Sequence, residues 1–254
     1  MAEVFNKYAR IYDAFYTEKD YKSESDYVLS ILNATEISSA LELGCGTGRY
    51  TNEFALRGMN VHGIDFSYEM IQIAQDNYAS LEGAIDPKSI FEVADIRFFS
   101  SEAKFDLVIS LFHVVNYMIA DEDLERFFRT AHRALVDGGS LVFDYWYGPA
   151  VISNPPEVRT RSISLRGSRI KRTAIPVLDT KKNCVDVNYK FEVDQFDMPE
   201  KETFEETHKM RYLFENEIAT HSSGLFKFTK SYGWMTKETH SDSNWSAVAV
   251  LKKI

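Results

Sequence analysis

Short apolar runs alternate with amphipathic stretches between residues 39 and 146, and this alternation constrains the fold more than any other feature of the chain. Five strand-like runs occur in this order: SSALEL, MNVHGID, SIFEVAD, KFDLVIS and GSLVFDYW. Helical spacing separates several of them, over about 48–57, 68–79 and 122–134. Strands that alternate with helices form parallel sheets covered on both faces, with right-handed crossovers. We therefore predict an α/β fold with a doubly wound, mostly parallel sheet.

The pattern changes after residue 147. From about 161 to 211 polar and apolar residues alternate with a period of two, broken by the turn-like LDTKKN, which predicts antiparallel strands. A helical piece around 213–222 and the strands LFKFTKSYG and SAVAVLKK close the chain. We predict seven strands in the main sheet, with helices on both faces, and an inserted antiparallel β cap.

The segment LELGCGTGRY follows the first predicted strand and precedes the first helix, where open α/β sheets bind ligands. Gly44, Gly46 and Gly48 occupy alternate positions, and glycine is used where the backbone needs positive φ or close approach. A dinucleotide-binding loop has the spacing G-x-G-x-x-G, so the third glycine here comes one residue too early. The loop therefore indicates a different ligand.

Glu42 and the three glycines form E-x-G-x-G-x-G, which resembles the first motif of class I S-adenosylmethionine-dependent methyltransferases. In that family the loop backbone lies close to the methionine part of the cofactor. The resemblance implies a Rossmann-like core and cofactor contacts from the loop residues Glu42, Gly44, Cys45, Gly46 and Gly48. From the residues alone, Glu42 could instead only stabilise the loop, and Cys45 is expected to be a small filler because no basic residue adjoins it.

Later strand ends match the same family in order. Asp65 ends the second strand, where a carboxylate can accept hydrogen bonds from both ribose hydroxyls. Ser67 is a suitable N-cap for the next helix. The resemblance places the remaining cofactor contacts at Phe66, Met70, Asp95, Ile96 and Leu111, with Met70 against the adenine, or alternatively in the core, and Asp95 near the adenine amino group.

Several segments resemble the branch that methylates amino groups of nucleotide-activated deoxysugars. YARIYDAFY followed by KDY is similar to that branch's cofactor lid, in which a tyrosine approaches the methionyl carboxylate, and Tyr12 and Tyr21 are the matching positions. FDYWYGPAV and KMRYLFENEIATHSSGLFKF resemble its aromatic run and its closing elements. Other small-molecule methyltransferases share parts of this pattern, so the acceptor stays open.

These observations divide the chain into four parts. We predict an N-terminal helical lid over 1–38, an S-adenosylmethionine-binding core over 39–147, and a cap on the substrate side over 148–212. Residues 213–254 complete the core sheet.

Candidate reaction residues follow the fourth strand. Methyl transfer is an in-line displacement that depends on alignment in a water-poor site, and an amine acceptor must arrive neutral. His113 could accept its proton or orient the substrate, or could be only a hydrogen-bonded histidine at the sheet edge. We predict that substrate contacts come from Asn116, Tyr117, Tyr145, Trp146 and Tyr147, with Trp146 on the opposite face from its two neighbours. SLFHVVNY lacks the Asn/Asp-Pro-Pro-aromatic motif of DNA N-methyltransferases, which argues against nucleobase acceptors.

The net charge and the charged segments of the chain limit the classes of molecule that it is expected to bind. The net charge of −9 disfavours nonspecific nucleic-acid binding, which requires Lys and Arg to neutralise phosphates. Residues 157–172 hold six basic residues and one acid, and residues 192–217 hold nine acids and three bases. The basic run would suit a diphosphate, but pairing of the two runs across an exposed antiparallel sheet is the favoured interpretation.

Two cysteines, Cys45 and Cys184, offer neither a disulfide framework nor a metal-ligand cluster. The N-terminal segment lacks a basic start followed by an apolar run, and no stretch is long and apolar enough to span a membrane. We therefore predict a cytoplasmic protein without a metal or a membrane partner. Edge strands in the cap predict pairing into a homodimer.

The sequence thus predicts an enzyme that uses S-adenosylmethionine to methylate an amine or hydroxyl of a small molecule, such as an amino sugar carried on a nucleotide. Two alternatives stay open. One is a methyltransferase that acts on protein or RNA, and the other is a non-catalytic module that only binds the cofactor.

Overall fold

The computed structural model describes residues 7–32, 36–81, 89–165, 167–195 and 201–254. The parts of the predicted lid and cap that fall on 1–6, 33–35, 166 and 196–200 lie outside the described residues. Within the described chain the helices are α1 Ala9–Phe15, α2 Tyr21–Ile31, α3 Arg49–Leu56, α4 Tyr68–Ala79, α5 Asp121–Ala134, α6 Gly148–Ser153 and α7 Glu215–His221, with a short 3-10 helix at Val114–Tyr117.

The strands of the described residues form two sheets. The main sheet contains β1 Ser39–Leu43, β2 Asn60–Asp65, β3 Ser89–Val93, β4 Phe105–Ser110, β5 Leu135–Trp146, β10 Phe226–Gly233 and β11 Ser246–Lys253. The second contains β6 Arg159–Leu165, β7 Ser168–Asp179, β8 Cys184–Gln195 and β9 Glu202–Arg211. The predicted mixed seven-stranded sheet and antiparallel cap are confirmed in this part of the chain.

Strand order places a binding crevice at the centre of the main sheet. The order is β10-β11-β5-β4-β1-β2-β3, with β1 parallel to both β2 and β4. The chain therefore moves outward in one direction from β1 to β3 and returns to the other side of β1 with β4. Ligands bind at such a switch point, outside the carboxyl ends of the strands.

Side chains of β1 show how the sheet is buried on both faces. Leu41 and Leu43 pack with α5 residues such as Phe127 on one face, whereas Ala40 packs with α2 and α3 residues such as Phe54 on the other. Successive side chains of a strand point to opposite faces, so an apolar β1 needs helices on both sides.

Helix ends in the core follow local sequence. The predicted N-cap Ser67 accepts a hydrogen bond from the Met70 backbone N–H at 3.2 Å, and α4 begins at the next residue. Helix α5 carries Asp121, Glu122 and Asp123 in its first turn and His132 and Arg133 in its last, which suits the helix dipole. The residues at the ends of α4 and α5 therefore set where the loops that surround the crevice begin.

The cap and the N-terminal helix pack on each other. Ile170 and Phe191 of the cap form one buried cluster with Tyr8 and Phe15 from the α1 region. Lys171 lies opposite Glu192 in the β7–β8 pairing, and their charged groups are 3.0 Å apart. The favoured prediction of cross-strand charge pairing is confirmed at this position.

Candidate functional site

A cavity of about 250 Å³ opens at the carboxyl ends of β1, β2 and β4 and extends under the lid and the cap. The structure brings most of the predicted cofactor residues to its wall: Tyr12, Tyr21, Glu42, Gly44, Cys45, Gly46, Asp65, Phe66, Met70, Asp95, Ile96 and Leu111. Gly48 does not line it. Gly48 instead lies against Phe91 and Ala74, where a Cβ would be 2.8 Å and 3.0 Å from their side chains.

The glycine loop presents bare backbone to the cavity. Gly46 has φ of +52°, and a Cβ placed on it would meet no atom within 4 Å. At Gly44, by contrast, a Cβ would overlap the side chain of Val114. Gly44 is therefore required by packing within the protein, whereas Gly46 keeps the cavity free of a side chain.

Asp65 is fixed against this loop. Its carboxylate accepts hydrogen bonds from the backbone N–H groups of Gly46 and Ser67, each at 2.9 Å. Burial raises the pKa of Asp65, and these backbone donors oppose that shift. The arrangement holds a carboxylate at the end of β2, pointed along the cavity wall beside the bare loop.

Glu42 lies beneath the loop with 1% of its surface exposed. Burial raises its pKa to about 8, although Thr51 donates a hydrogen bond to its carboxyl group. Glu42 is therefore largely protonated at neutral pH and can donate a hydrogen bond. Burial also raises the pKa of the Cys45 thiol, which fits the prediction of an unreactive filler.

Asp95 is held at the end of β3 by Arg97. The Arg97 backbone N–H donates to Asp95 at 2.9 Å, and its guanidinium forms an ion pair with the same carboxylate at 2.5 Å. Burial alone would raise the pKa of Asp95, but these bonds outweigh it and hold the pKa below its usual range. Asp95 therefore stays ionised and can accept a hydrogen bond from an amino group.

The loop after β4 is strained. Phe112 and His113 both have φ of +67°, a conformation that costs non-glycine residues of order 1 kcal/mol each. The His113 backbone N–H donates to Asp144 at 2.9 Å, and its Nδ1 lies 3.0 Å from the same carboxylate, close enough for an ion pair although the angle is poor for a hydrogen bond. His113 lines the cavity, with Nε2 3.4 Å from Ser246 Oγ.

The predicted substrate residues divide into two groups. Tyr117 and Trp146 line the cavity, whereas Asn116, Tyr145 and Tyr147 do not. Tyr145 is fully buried on the core face of β5 and contacts Ser231, because strand alternation sends it away from Trp146. The expectation that Tyr145 and Trp146 face opposite ways is confirmed, and the choice of Tyr145 as a cavity residue is wrong.

Asn116 and Tyr147 have structural contacts instead. The Asn116 amide donates to the Arg211 carbonyl, and its oxygen accepts from the Trp146 N–H at 3.3 Å. Tyr147 stacks on His240 with ring centroids 4.0 Å apart. Asn116 therefore joins the 3-10 helix to β5 and β9, and neither side chain reaches the cavity wall.

Several cavity residues were not predicted from the sequence. They are Tyr8, Tyr16, Thr47, Arg49, Tyr50, Ser67, Arg97, Phe112, Val114, Met118, Tyr189, His208 and Met210. Tyr8, Tyr12 and Tyr16 recur every fourth residue, so a helical stripe in YARIYDAFY was the available signal. The cap residues Tyr189, His208 and Met210 gave no such local signal, because their approach depends on how the cap docks.

No group of His, Cys, Asp and Glu in the described ranges is arranged to hold a metal ion. Among the same residues, no helix combines the length and the apolar character needed to cross a bilayer.

Comparison with known proteins gives a consistent result. Residues 40–139 match the model of a methyltransferase domain. A dTDP-4-amino-2,3,4,6-tetradeoxy-D-glucose N,N-dimethyltransferase from Saccharopolyspora spinosa is 28% identical over 72% of this chain and 71% of its own length. A dTDP-3-amino-3,4,6-trideoxy-alpha-D-glucopyranose N,N-dimethyltransferase from Streptomyces venezuelae is 27% identical over 58% of this chain and 60% of its own length.

The fold also matches a solved structure over nearly its full length. The crystal structure of a S-adenosylmethionine-dependent methyltransferase from Clostridium acetobutylicum ATCC 824 aligns with a TM-score of 0.80. The alignment covers 98% of each chain at 22% identity. This likeness concerns the architecture, including the sheet order that forms the cavity.

Proposed function

We propose that this chain, of which residues 40–139 match a methyltransferase domain, is a class I S-adenosylmethionine-dependent methyltransferase that methylates the amino group of a small molecule, an amino sugar carried on a nucleotide. The observation that carries the proposal is a single cavity in which the bare loop at Gly46 and the carboxylate of Asp65 meet an aromatic wall from the lid and cap. The names of the two sugar N,N-dimethyltransferases similar to this chain support the choice of acceptor.

The residues at the cavity fit S-adenosylmethionine. Gly46 leaves space where the methionine part would lie, and Asp65 presents a carboxylate suited to two ribose hydroxyls. Met70 offers a thioether face, and Asp95 an ionised acceptor, at the far end for the adenine. S-adenosylmethionine supplies an electrophilic methyl group on a positively charged sulfur.

The aromatic wall suits a sugar that carries an amine. Tyr12, Tyr16, Phe112, Tyr189 and Trp146 line the part of the cavity under the lid and cap. Aromatic rings attract cations over their faces and exclude water, which favours both a cationic donor and an amine that becomes cationic on methylation. We propose that Tyr117 and Trp146 contact the acceptor, and that Tyr12 and Tyr21 lie against the methionyl end of the donor.

His113 and Asp144 supply orientation at the reacting end of the cavity. Two contacts to Asp144 fix the backbone and the ring of His113, as carboxylates commonly do for a functional imidazole. In this position His113 serves as proton acceptor or as a group that orients the acceptor. The strain at Phe112 and His113 is consistent with a loop held in place for function.

The proposed division of labour follows the four predicted segments. Residues 1–38 act as the lid, 39–147 with 213–254 as the donor-binding core, and 148–212 as the cap that encloses the acceptor. We further propose a cytoplasmic enzyme that acts without nucleic-acid or membrane partners. The edge strands of the cap support a homodimer.

An assay with defined acceptors tests this proposal. The protein is incubated with S-adenosylmethionine and either dTDP-4-amino-2,3,4,6-tetradeoxy-D-glucose or dTDP-3-amino-3,4,6-trideoxy-alpha-D-glucopyranose, and products are weighed by mass spectrometry. We expect one or two added methyl groups on the amine, and none on matched sugars with a hydroxyl in its place. Methylation of protein or RNA from a cell extract, with all sugars untouched, would favour the macromolecular alternative.

A further inference from the structure

Strand β9 buries two ionisable side chains on the face of the cap that packs against the α1 region. Glu206 and His208 point the same way along the strand and are 9% and 2% exposed, whereas the neighbouring Glu205, Thr207 and Lys209 face solvent. A buried charge is costly unless hydrogen bonds or an opposite charge compensate it. The pair therefore needs a reason that packing alone does not supply.

A continuous line of polar contacts joins this pair to the cavity. Tyr117 Oη lies 2.6 Å from His208 Nδ1, and His208 Nε2 lies 3.4 Å from Glu206 Oε2. The other oxygen of Glu206 accepts a hydrogen bond from the Tyr8 backbone N–H at 3.2 Å. Tyr117 and His208 both line the cavity that contains Gly46 and Asp65.

A proton path through this line of contacts requires one arrangement of the hydrogens. Burial raises the pKa of Tyr117 well above its ordinary value, so its hydroxyl keeps its hydrogen at neutral pH. In the required arrangement that hydroxyl donates to His208 Nδ1, and the neutral imidazole carries its hydrogen on Nε2, toward Glu206. A hydroxyl that donates in this way can also accept a hydrogen bond from a substrate N–H.

We propose that Tyr117, His208 and Glu206 form a proton relay that removes the proton of the acceptor amine, a role that rests on the proposed amine methylation. One N–H bond of the acceptor's ammonium form breaks toward Tyr117 Oη as the Tyr117 hydrogen passes to His208 Nδ1, which leaves the neutral amine. The lone pair of that amine forms the new C–N bond while the C–S bond of the donor breaks. Products are S-adenosylhomocysteine, the methylated amine in its ammonium form and a His208 imidazolium beside Glu206, which returns its proton to water.

The relay gives the two histidines of the cavity different tasks. We assign His113, with Asp144 near Nδ1 and Ser246 near Nε2, to orientation of the acceptor. His208 contacts Tyr117 at the cavity through Nδ1 and a buried carboxylate through Nε2. A second methylation needs a second proton removed from a cationic amine, and a relay that has returned its first proton to water serves that need.

Ionisable side chains from several elements surround His208. Among the described residues they include Tyr8, Tyr117, Tyr189 and Glu206. Burial raises the pKa of Tyr8, Tyr117 and Tyr189, so these phenols keep their hydrogens at neutral pH.

Two variants and two controls test the relay through activity. H208N keeps a hydrogen-bond acceptor for Tyr117 but does not titrate, and E206Q keeps the shape of the carboxylate without its charge. With dTDP-4-amino-2,3,4,6-tetradeoxy-D-glucose, H208N should lower kcat about a hundredfold at neutral pH, with KM unchanged. E206Q should also lower kcat with KM unchanged, because the imidazolium that forms in the relay loses its counter-ion.

The controls are H132N on helix α5 and Y145F in the core, which change the same residue types away from the cavity. Both should retain the wild-type kcat and KM, and all variants should bind S-adenosylhomocysteine as wild type does. If H208N keeps its kcat within about twofold of wild type, the relay is wrong.

A second readout needs no turnover and separates the relay from the proposed function. In ¹⁵N-histidine NMR spectra the His208 ring should be the neutral Nε2–H tautomer, and Y117F should shift its Nδ1 resonance while Y145F does not. Absence of methylation with the sugar probes would count against the proposed acceptor, and these spectra would still decide the relay. A hydrogen on Nδ1 in place of Nε2 would overturn it.

Discussion

Asp65 lies at the end of β2, beside the glycine loop that follows β1. Its position at the end of the second strand is predicted from strand order and from the loop before it. The structure adds that the Gly46 and Ser67 N–H groups hold the carboxylate, so the loop and the carboxylate form one rigid unit. Sequence spacing alone does not carry that information, because the bond between Gly46 and Asp65 joins two neighbouring strand ends.

Replacing Asp65 tests this unit. Asp65→Ala removes the carboxylate proposed to accept from both ribose hydroxyls and should weaken S-adenosylhomocysteine binding by about 2–4 kcal/mol, taking each charged hydrogen bond at its usual net contribution. Isothermal titration calorimetry measures the affinity. Asp106→Ala is the matched control, because Asp106 bonds Ser38 and Ser39 at the opposite end of the strands. An affinity equal to wild type in Asp65→Ala would remove Asp65 from the site.

Glu42 gives a prediction about stability and pH. Burial raises its pKa from 4.5 to about 8, so the folded state binds a proton that the unfolded state releases across that range. Its contribution to stability is therefore complete below pH 4.5 and is lost as pH rises toward 8, at about 1.4 kcal/mol per pH unit.

Glu42→Gln keeps the hydrogen bond with Thr51 but carries no titrating group. Its free energy of unfolding, measured by urea titration, should decline less between pH 5 and pH 8 than that of wild type, so the two curves converge or cross. Burial also raises the pKa of Asp65, and comparing wild type with Glu42→Gln cancels that contribution. Parallel curves would mean that Glu42 is ionised in the folded protein.

At the scale of elements, the α1 region contacts both the glycine loop and the cap, which lie on two sides of the cavity. Asp13 accepts from Thr47 Oγ1 at 2.6 Å and pairs with Arg49 at 2.8 Å, which ties α1 to the glycine loop. On the other side, Arg172 of the cap donates to the hydroxyls of Tyr8 and Tyr16. The element is short, and these contacts rather than its own helix propensity hold it in place.

Removing the contacts of Asp13 with the glycine loop should let a ligand at the donor site exchange faster. Asp13→Ala removes contacts worth about 1–2 kcal/mol, so S-adenosylhomocysteine should dissociate about tenfold faster in stopped-flow measurements. Asp20→Ala is the control, because Asp20 caps α2 and has no contact with the loop. Dissociation at the wild-type rate in Asp13→Ala would show that α1 does not retain the donor.

Elements were predictable where local sequence decides them. Helix α4 spans the predicted range because Ser67 caps it, and the five early strands occur in the predicted order. Strand β5 begins earlier than GSLVFDYW suggests, at Leu135, because Leu135 pairs with Phe105 of β4 ahead of an irregularity, and regular pairing with β4 and β11 starts at Ser140. Glu206 was counted within a solvated acidic run, and its burial depends on the register of β8 and β9, which a period-two pattern does not specify.

At the scale of the whole molecule, the methyltransferase class was predicted from motifs that lie within residues 40–147, and the match of residues 40–139 to a methyltransferase domain confirms it. The same motifs predict S-adenosylmethionine as the cofactor. The acceptor side depends on how a second sheet and an N-terminal helix dock over the first. Tyr189, His208 and Met210 reach the cavity through that docking, and sequence patterns contain no measure of it. The part of the cavity that the main sheet forms was therefore predictable from the sequence. The part that lies between the main sheet and the cap was not.

Binding of S-adenosylhomocysteine to Gly46 and Gly138 variants tests most directly whether the bare turn after β1 holds the donor. Both glycines have positive φ and open space around the position of a Cβ, so a substitution imposes comparable backbone strain, but Gly46 alone of the two lines the cavity. In calorimetric titrations we expect wild type and Gly138→Val to bind with similar affinity, and Gly46→Val to lose about a hundredfold or more, since its side chain occupies the donor's space. Equal affinity in Gly46→Val and wild type would contradict the account.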